Sequence, residues 1–472
     1  MTRRKPTSSK STATEKAPFA LSRRGFLKVG AAGLAASSVP SLFIPNRAIA
    51  QTGGRGTIKH LLYVRLSGGF RFPTAFNADV SGAYNPFGSA SGVPSGVDWG
   101  VSNLLMRAGF LDANRTAAGM QPVHQLADRI TVMPTVDHEP LAGYADGNHT
   151  TGLERYYTGY VNGSAGFFTR INLGLADRYA TALSEGRVLL PPFVMGGAAM
   201  ARGLGAFAPY RPPVLSGGSF DRFAASAAGA IPDWGRPMVT ATDARMRDRQ
   251  HLRQRDRVDA YVQSRAATEA YAQIFADPLL ATDRASDTLV DGISNTELSM
   301  LFGTSSSARD IRLALRLFHF GCPAVYLDQG GYDYHSGEQD RLPGSMEALN
   351  QLTSALINVL PRMSHPDGGT YWDHTLVVYG SEFSRTARGD RFNSARGSDH
   401  NGDNSTRWMS MPFFGGPVPG GRMVGATTAR DDLRAEGTVY SYRSVLNTLM
   451  DGLGCDPEVA FPADPVVPDL FG

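Results

Sequence analysis

The chain has 472 residues, with 46 Lys or Arg against 43 Asp or Glu. Nine of the basic residues and one acid fall within the first 50 positions. Residues 51–472 hold 37 basic and 42 acidic residues, a net charge of −5, which excludes an overall basic field suited to nucleic acid. Two cysteines, Cys322 and Cys455, allow one disulfide but exclude a cysteine framework or a cysteine-based zinc site.

Ser22-Arg23-Arg24-Gly25-Phe26-Leu27-Lys28 matches the twin-arginine export signature S-R-R-x-F-L-K. A mild apolar run from Val29 to Ile44 comes next, and Ala48-Ile49-Ala50 supplies the small-x-small pattern that signal peptidase cuts after. Residues 1–50 are therefore expected to be a signal peptide read by the twin-arginine translocase. The mature chain, 51–472, is expected to work in the periplasm or outside the cell. The leader's apolar run is interrupted by Gly, Ser and Pro40 and is shorter than the ~20 residues a retained span needs. No later segment is long and apolar enough to cross a membrane.

In chain order, His60 to Leu66 reads as a strand stopped by Ser67-Gly68-Gly69, the kind of strand end where ligands gather in an open α/β sheet. Ile130 to Met133 reads as a second short strand before a polar loop carrying Asp137, His138, Asp146, Asn148 and His149. From about 205 to 300 the pattern changes. Pro- and Gly-rich turns lead into a charged helical stretch, Ala241 to Phe275, expected to be a solvated helical insertion.

The C-terminal half returns to alternating α and β. A helix over Asp310 to Phe320 is closed by Gly321, and Ala324 to Leu327 is a strand. A helix capped by Ser345 presents Leu349, Leu352, Leu356 and Leu360 inward, and Thr375 to Gly380 is a further strand. Strand, helix and strand at this spacing predict a right-handed crossover in a parallel sheet. The fold class is α/β: a doubly wound, mostly parallel sheet flanked by helices, with the insertion in its middle.

Three strand-end loops cluster carboxylates and imidazoles. They are Gly330-Gly331-Tyr332-Asp333-Tyr334-His335, Gly380-Ser381-Glu382-Phe383-Ser384-Arg385-Thr386 and Gly397-Ser398-Asp399-His400-Asn401. Mixed oxygen and nitrogen ligands suit zinc, manganese or iron better than calcium or magnesium, which favour all-oxygen sites. The set is large enough for one or two divalent ions, the count depending on whether Asp79, His138 or His149 also reaches it. Asp373-His374 reads instead as turn residues before a strand. The isolated His60, His124, His251, His319 and His365 read as hydrogen-bonded core or surface histidines.

These motifs resemble those of the exported bacterial proteins of domain-of-unknown-function family 1501, which is placed in the alkaline phosphatase and sulfatase superfamily. Gly330 to His335 is similar to "G-G-F-D-T-H", Ser381 to Thr386 to "S-E-F-G-R-T", and Gly397 to Asn401 to "G-T-D-H-G". Gly415-Gly416, Gly420-Gly421 and Gly425 resemble the family's later glycine pattern. The likeness is sharp over about 310–427 and poor in the helical middle. It implies a metal-dependent hydrolase acting on phosphate or sulfate esters, with Asp333, His335, Glu382, Asp399 and His400 as metal ligands and Arg385 as an anion clamp. His149 and Thr150-Thr151-Gly152 resemble the family's His…Thr-Gly segment, which makes His149 and Thr151 catalytic candidates. A cap on a helix starting near Leu153 explains the same threonines. The family's early acid is missing, since Ser67-Gly68-Gly69-Phe70-Arg71 offers an arginine instead. That departure supports the alternative reading, a non-catalytic envelope binding or assembly protein with a degenerate site.

Overall fold

The computed structural model describes residues 55–72, 75–76, 103–138, 149–185, 189–215, 233–251, 292–385, 408–427 and 435–471, with single positions between 254 and 280. The leader, Asp79, Asp146, Asn148, Thr386, Asp399 and His400 lie outside the described residues.

The apolar runs form strands wherever a turn signal bounds them. Strand β1 is His60–Leu66, β2 Ile130–Asp137, β3 Phe193–Met195, β4 Val214–Leu215, β5 Ala324–Gln329 and β6 Thr375–Gly380. Then come β7 Trp408–Phe414, β8 Arg422–Met423, the β9–β10 ribbon Ala426–Thr427 and Ala435–Glu436, and β11 Tyr440–Ser441. The main sheet runs β11-β2-β7-β6-β1-β5-β3-β4, with β8 also pairing β2. Strand β7 is antiparallel to β2 and β6, and the other pairings are parallel. The result is a mixed, mostly parallel sheet flanked by helices. Every residue of β1, β2 and β6 is buried, as strands covered on both faces must be.

The principal helices are α1 His149–Thr158, α2 Phe167–Gly174, α3 Arg236–Arg249, α4 Ser306–His319, α5 Glu338–Val359 and α6 Tyr442–Gly452. The Ser305 hydroxyl caps α4 by accepting from the Ala308 N–H. A Schellman turn closes it: Cys322 N–H donates to Leu317 O, Gly321 N–H donates to Phe318 O, and Gly321 holds φ +77°. Helix α5 connects β5 to β6, which flank β1 as parallel neighbours, and it buries Leu349, Leu352 and Leu356, with Leu360 buried just past its end. At roughly 1.5–3 kcal/mol for each fully buried leucine, that stripe is what docks the helix.

Four boundaries differ from the sequence reading. Strand β2 continues to Asp137, because a bulge between Met133 and Val136 accommodates Pro134. Helix α5 begins at Glu338 behind Gly337, so Ser345 lies inside it, with its Oγ 2.5 Å from Tyr334 Oη. Helix α1 begins at His149, so Thr150 and Thr151 occupy its first turn rather than capping it. Helix α3 begins at Arg236 rather than Ala241, and beyond Arg249 the described positions 254, 255, 258, 262 and 274 are helical as well. Cys322 and Cys455 are both buried and free.

Candidate metal centre at the strand ends

Parallel β1, β2, β5 and β6 deliver their carboxyl ends to one edge of the sheet, where the loops after β1, β5 and β6 meet. Close backbone approach there depends on glycine. Gly68 has φ +115°, and a Cβ on it would lie 2.4 Å from the Asp333 nitrogen. On Gly69, at φ +75°, it would lie 1.9 Å from the Phe383 ring. Gly152 of α1 sits so close to the β6 loop that its Cβ would come within 3.1 Å of both Glu382 O and the Phe383 ring. That contact brings the start of α1, and with it His149, over the loop. Gly68→Ala is expected to lose about 3 kcal/mol of stability in chemical denaturation, from positive-φ strain plus the collision with Asp333. A change under about 0.5 kcal/mol, the scale of an ordinary surface substitution, would contradict this packing.

Three ligand-type atoms gather above the edge: one ring nitrogen each from His149 and His335 and one carboxylate oxygen of Asp333 lie within 4.8 Å of one another. Asp333 Oδ1 is 3.1 Å from His335 Nε2 and 3.8 Å from His149 Nε2. Tetrahedral ligands at the ~2.0–2.1 Å bond lengths of zinc stand about 3.3 Å apart, between those two separations. Asp333 and His335 are about half exposed, with side chains 51% and 55% accessible, so the cluster opens to solvent.

Beneath it the groups are buried. Glu382 Oε1 accepts the Gly68 N–H at 2.9 Å and faces His149 Nδ1 at 3.4 Å. Its Oε2 lies 3.1 Å from Ser381 Oγ, whose single proton also reaches Leu66 O at 2.6 Å, and 3.6 Å from an Arg65 terminal nitrogen. The β1–β5 register sets Arg65 beside Asp328, and Arg65 Nε donates to Asp328 Oδ1 at 2.7 Å. Burial opposes ionisation of Glu382. The His149 hydrogen bond, the Arg65 charge and the Gly68 N–H outweigh it and hold the carboxyl below its usual value. Burial also opposes the Arg65 charge, but Tyr326, Asp328 and Glu382 more than compensate and push its value up.

Arg385, the expected anion clamp, is fully buried, donating to Gly68 O at 2.8 Å, Gly69 O at 2.8 Å, Tyr334 O at 3.4 Å and the Asp333 carboxylate. It therefore ties the three strand-end loops together. Burial draws its guanidinium below the ordinary value, against the pull of Asp333 and Glu338. Arg71, which stands where an acid was looked for, is a buried partner of Glu338 at 3.2 Å.

Of the sequence-derived candidates, the structure brings together Asp333, His335 and His149. Glu382 stands behind His149, outside the set of gathered ligand atoms. Asp137 and His138 are buried at the end of β2, and neither belongs to that set. The sequence reading passed over Arg65 and Asp328. An arginine within an otherwise apolar strand was the available signal, since a charge there needs a partner. Across Asp328, Glu382 and Asp333 three carboxylates meet two guanidiniums, Arg65 and Arg385. The remaining negative charge, with two imidazoles, favours a cation over an anion as the bound species.

A mostly parallel α/β sheet with imidazoles and a carboxylate converging beyond its strand ends defines the structural class. The family model described as "Protein of unknown function (DUF1501)" matches residues 112–464, about three quarters of the chain, and the chain belongs to that family. No curated protein matches it.

Proposed function

We propose that this protein is an exported metal-dependent hydrolase of phosphate or sulfate esters. The convergence of His149, Asp333 and His335 within 4.8 Å carries the reading. The three would hold one divalent cation with an open position, as catalytic metal sites keep. Such an ion supplies Lewis acidity, neutralising charge on substrate oxygens and easing deprotonation of water. The chain's own groups set the geometry: Glu382 holds His149, and Arg385 holds the loop backbone and Asp333. The exposed faces of Asp333 and His335 leave room for an ester from solvent. Thr150 and Thr151 come directly after His149 on the first turn of α1, and Thr151 remains the candidate nucleophile. The choice of phosphate or sulfate, and the placement outside the inner membrane, rest on the motif resemblance and the leader. Asp399 and His400 are further candidate ligands.

One observation favours the second reading, a non-catalytic envelope binding or assembly protein. Asp333 is already paired with Arg385, which lessens its power as a ligand. An aryl phosphate and an aryl sulfate, offered to the full chain with zinc, manganese or iron(II), decide between them. The hydrolase reading expects turnover of at least one ester, abolished by Asp333→Ala with His335→Ala. Absence of turnover with every metal contradicts it.

A further inference from the structure

Glu382 stands outside the gathered ligand group and its surroundings suit it to another task; this inference rests on the metal reading above. A carboxylate accepts hydrogen bonds and donates none, and a neutral imidazole carries one proton. His149 Nδ1 lies 3.4 Å from Glu382 Oε1, so the proton belongs on Nδ1. Nε2, bare of a proton, then points at Asp333 Oδ1, 3.8 Å away within the ligand cluster.

Glu382 is itself held on every side. Its side chain is 2% accessible, and Gly68 N–H, Ser381 Oγ and Arg65 fix its two oxygens. Arg65 is anchored in turn by Asp328, whose Oδ1 also accepts from Tyr326 Oη at 2.5 Å. The ring of His149 is set edge-on against Phe383, with centroids 4.8 Å apart. A buried, hydrogen-bonded carboxylate behind the Nδ1 of a ligating histidine is the arrangement that fixes tautomer and ring orientation at metal centres.

We infer that Glu382 is a positioning residue that keeps His149 in its Nδ1-protonated form, with an unprotonated Nε2 as the atom that binds a divalent cation, and that Arg65 and Asp328 hold Glu382 for that task.

The test uses the full chain labelled with 15N-histidine, freed of metal by chelation, at a pH where the histidines are neutral. His149→Gln identifies the His149 signals. The inference expects a protonated Nδ1 and an unprotonated Nε2 in the wild type. In Glu382→Gln it expects loss of that tautomer preference, together with zinc binding about 10- to 100-fold weaker by calorimetry. Asp328→Asn, which touches neither His149 nor the ligand set, is expected to weaken zinc in the same direction by a smaller factor. A proton on Nε2 in the wild type overturns the inference, even if the Glu382 variant does not fold. Unchanged zinc affinity in a folded Glu382→Gln overturns it as well. If the wild type binds no zinc, the metal reading fails, and the tautomer measurement still separates the two claims.

Discussion

Arg385→Ala is expected to lower the thermal midpoint by about 3–6 °C. The guanidinium is fully buried and serves two glycine carbonyls, the Tyr334 carbonyl and Asp333. Removing it strands carbonyls from two loops and releases the carboxylate that shares the ligand cluster. Losing one side of such a buried charge network costs about 3–5 kcal/mol. At about 2.1 cal/mol/K of unfolding entropy per residue, a body of about 420 residues shifts by about 1 °C per kcal/mol, which gives the expected change. Arg385→Lys keeps the charge but replaces the planar fork with a point donor and is expected to recover only part of the loss. Calorimetric scans of the two variants check this. A midpoint within about 1 °C of wild type for the alanine variant, about 1 kcal/mol of stability, contradicts the role of Arg385 as the tie between loops.

The second large effect lies at the other end of β1 and concerns acid stability. His365 Nδ1 accepts the Asp367 N–H at 3.1 Å, so the His365 proton sits on Nε2, 3.1 Å from His60 Nε2. His60 must accept there and donate from Nδ1 to Cys322 O at 2.8 Å. The chain of bonds needs both rings neutral. Burial pushes the His60 value down from its usual 6.5 to about 3. The Cys322 carbonyl opposes that shift, while His365, Arg178 and His374 reinforce it. Burial lowers His365 as well, with His374 and Lys59 reinforcing and Asp367 opposing.

For His60 the unfolded chain takes up a proton below pH 6.5 that the folded chain refuses until about pH 3. Its contribution is therefore present at neutral pH and is lost as pH falls through that window, at about 1.4 kcal/mol per pH unit where fully developed. Between pH 6 and pH 4 that amounts to roughly 2 kcal/mol. His60→Phe is expected to be less stable at pH 7, because Cys322 O and His365 lose their partner, yet to show a flatter decline over pH 6 to 4. Denaturant midpoints of both proteins across that range supply the comparison, since groups beyond the His60–His365 pair contribute equally to the two curves. Parallel curves would contradict the neutral pair.

How much of this was legible in the sequence depends on what each residue answers to. Strands β1 and β6 were readable to the residue, because continuous apolar runs ended by turn residues have one buried solution. The inward leucines of α5 were readable for the same reason. Its start was hidden because Pro343 and Gly344 look like breakers, whereas Pro343 lies near the helix N-terminus and removes a single N–H donor. Pro134 concealed the rest of β2 in the same way, its effect absorbed by a bulge against β7. At the site, the spacing of Asp333 and His335 behind a strand was enough to nominate them. The roles of Glu382 and Arg385 were not readable, because both are set by Gly68 and Gly69, more than 300 positions away in the chain. A carboxylate and an arginine three residues apart carry no mark showing which faces the ligand and which holds the scaffold.

The most direct test of the metal claim is anomalous diffraction at the zinc edge from crystals of the full chain soaked in zinc. The account expects one peak within bonding distance, about 2.0–2.2 Å, of His149 Nε2, Asp333 Oδ1 and His335 Nε2. Zinc bound elsewhere, or no peak between these three atoms while the protein is fully folded, would contradict it.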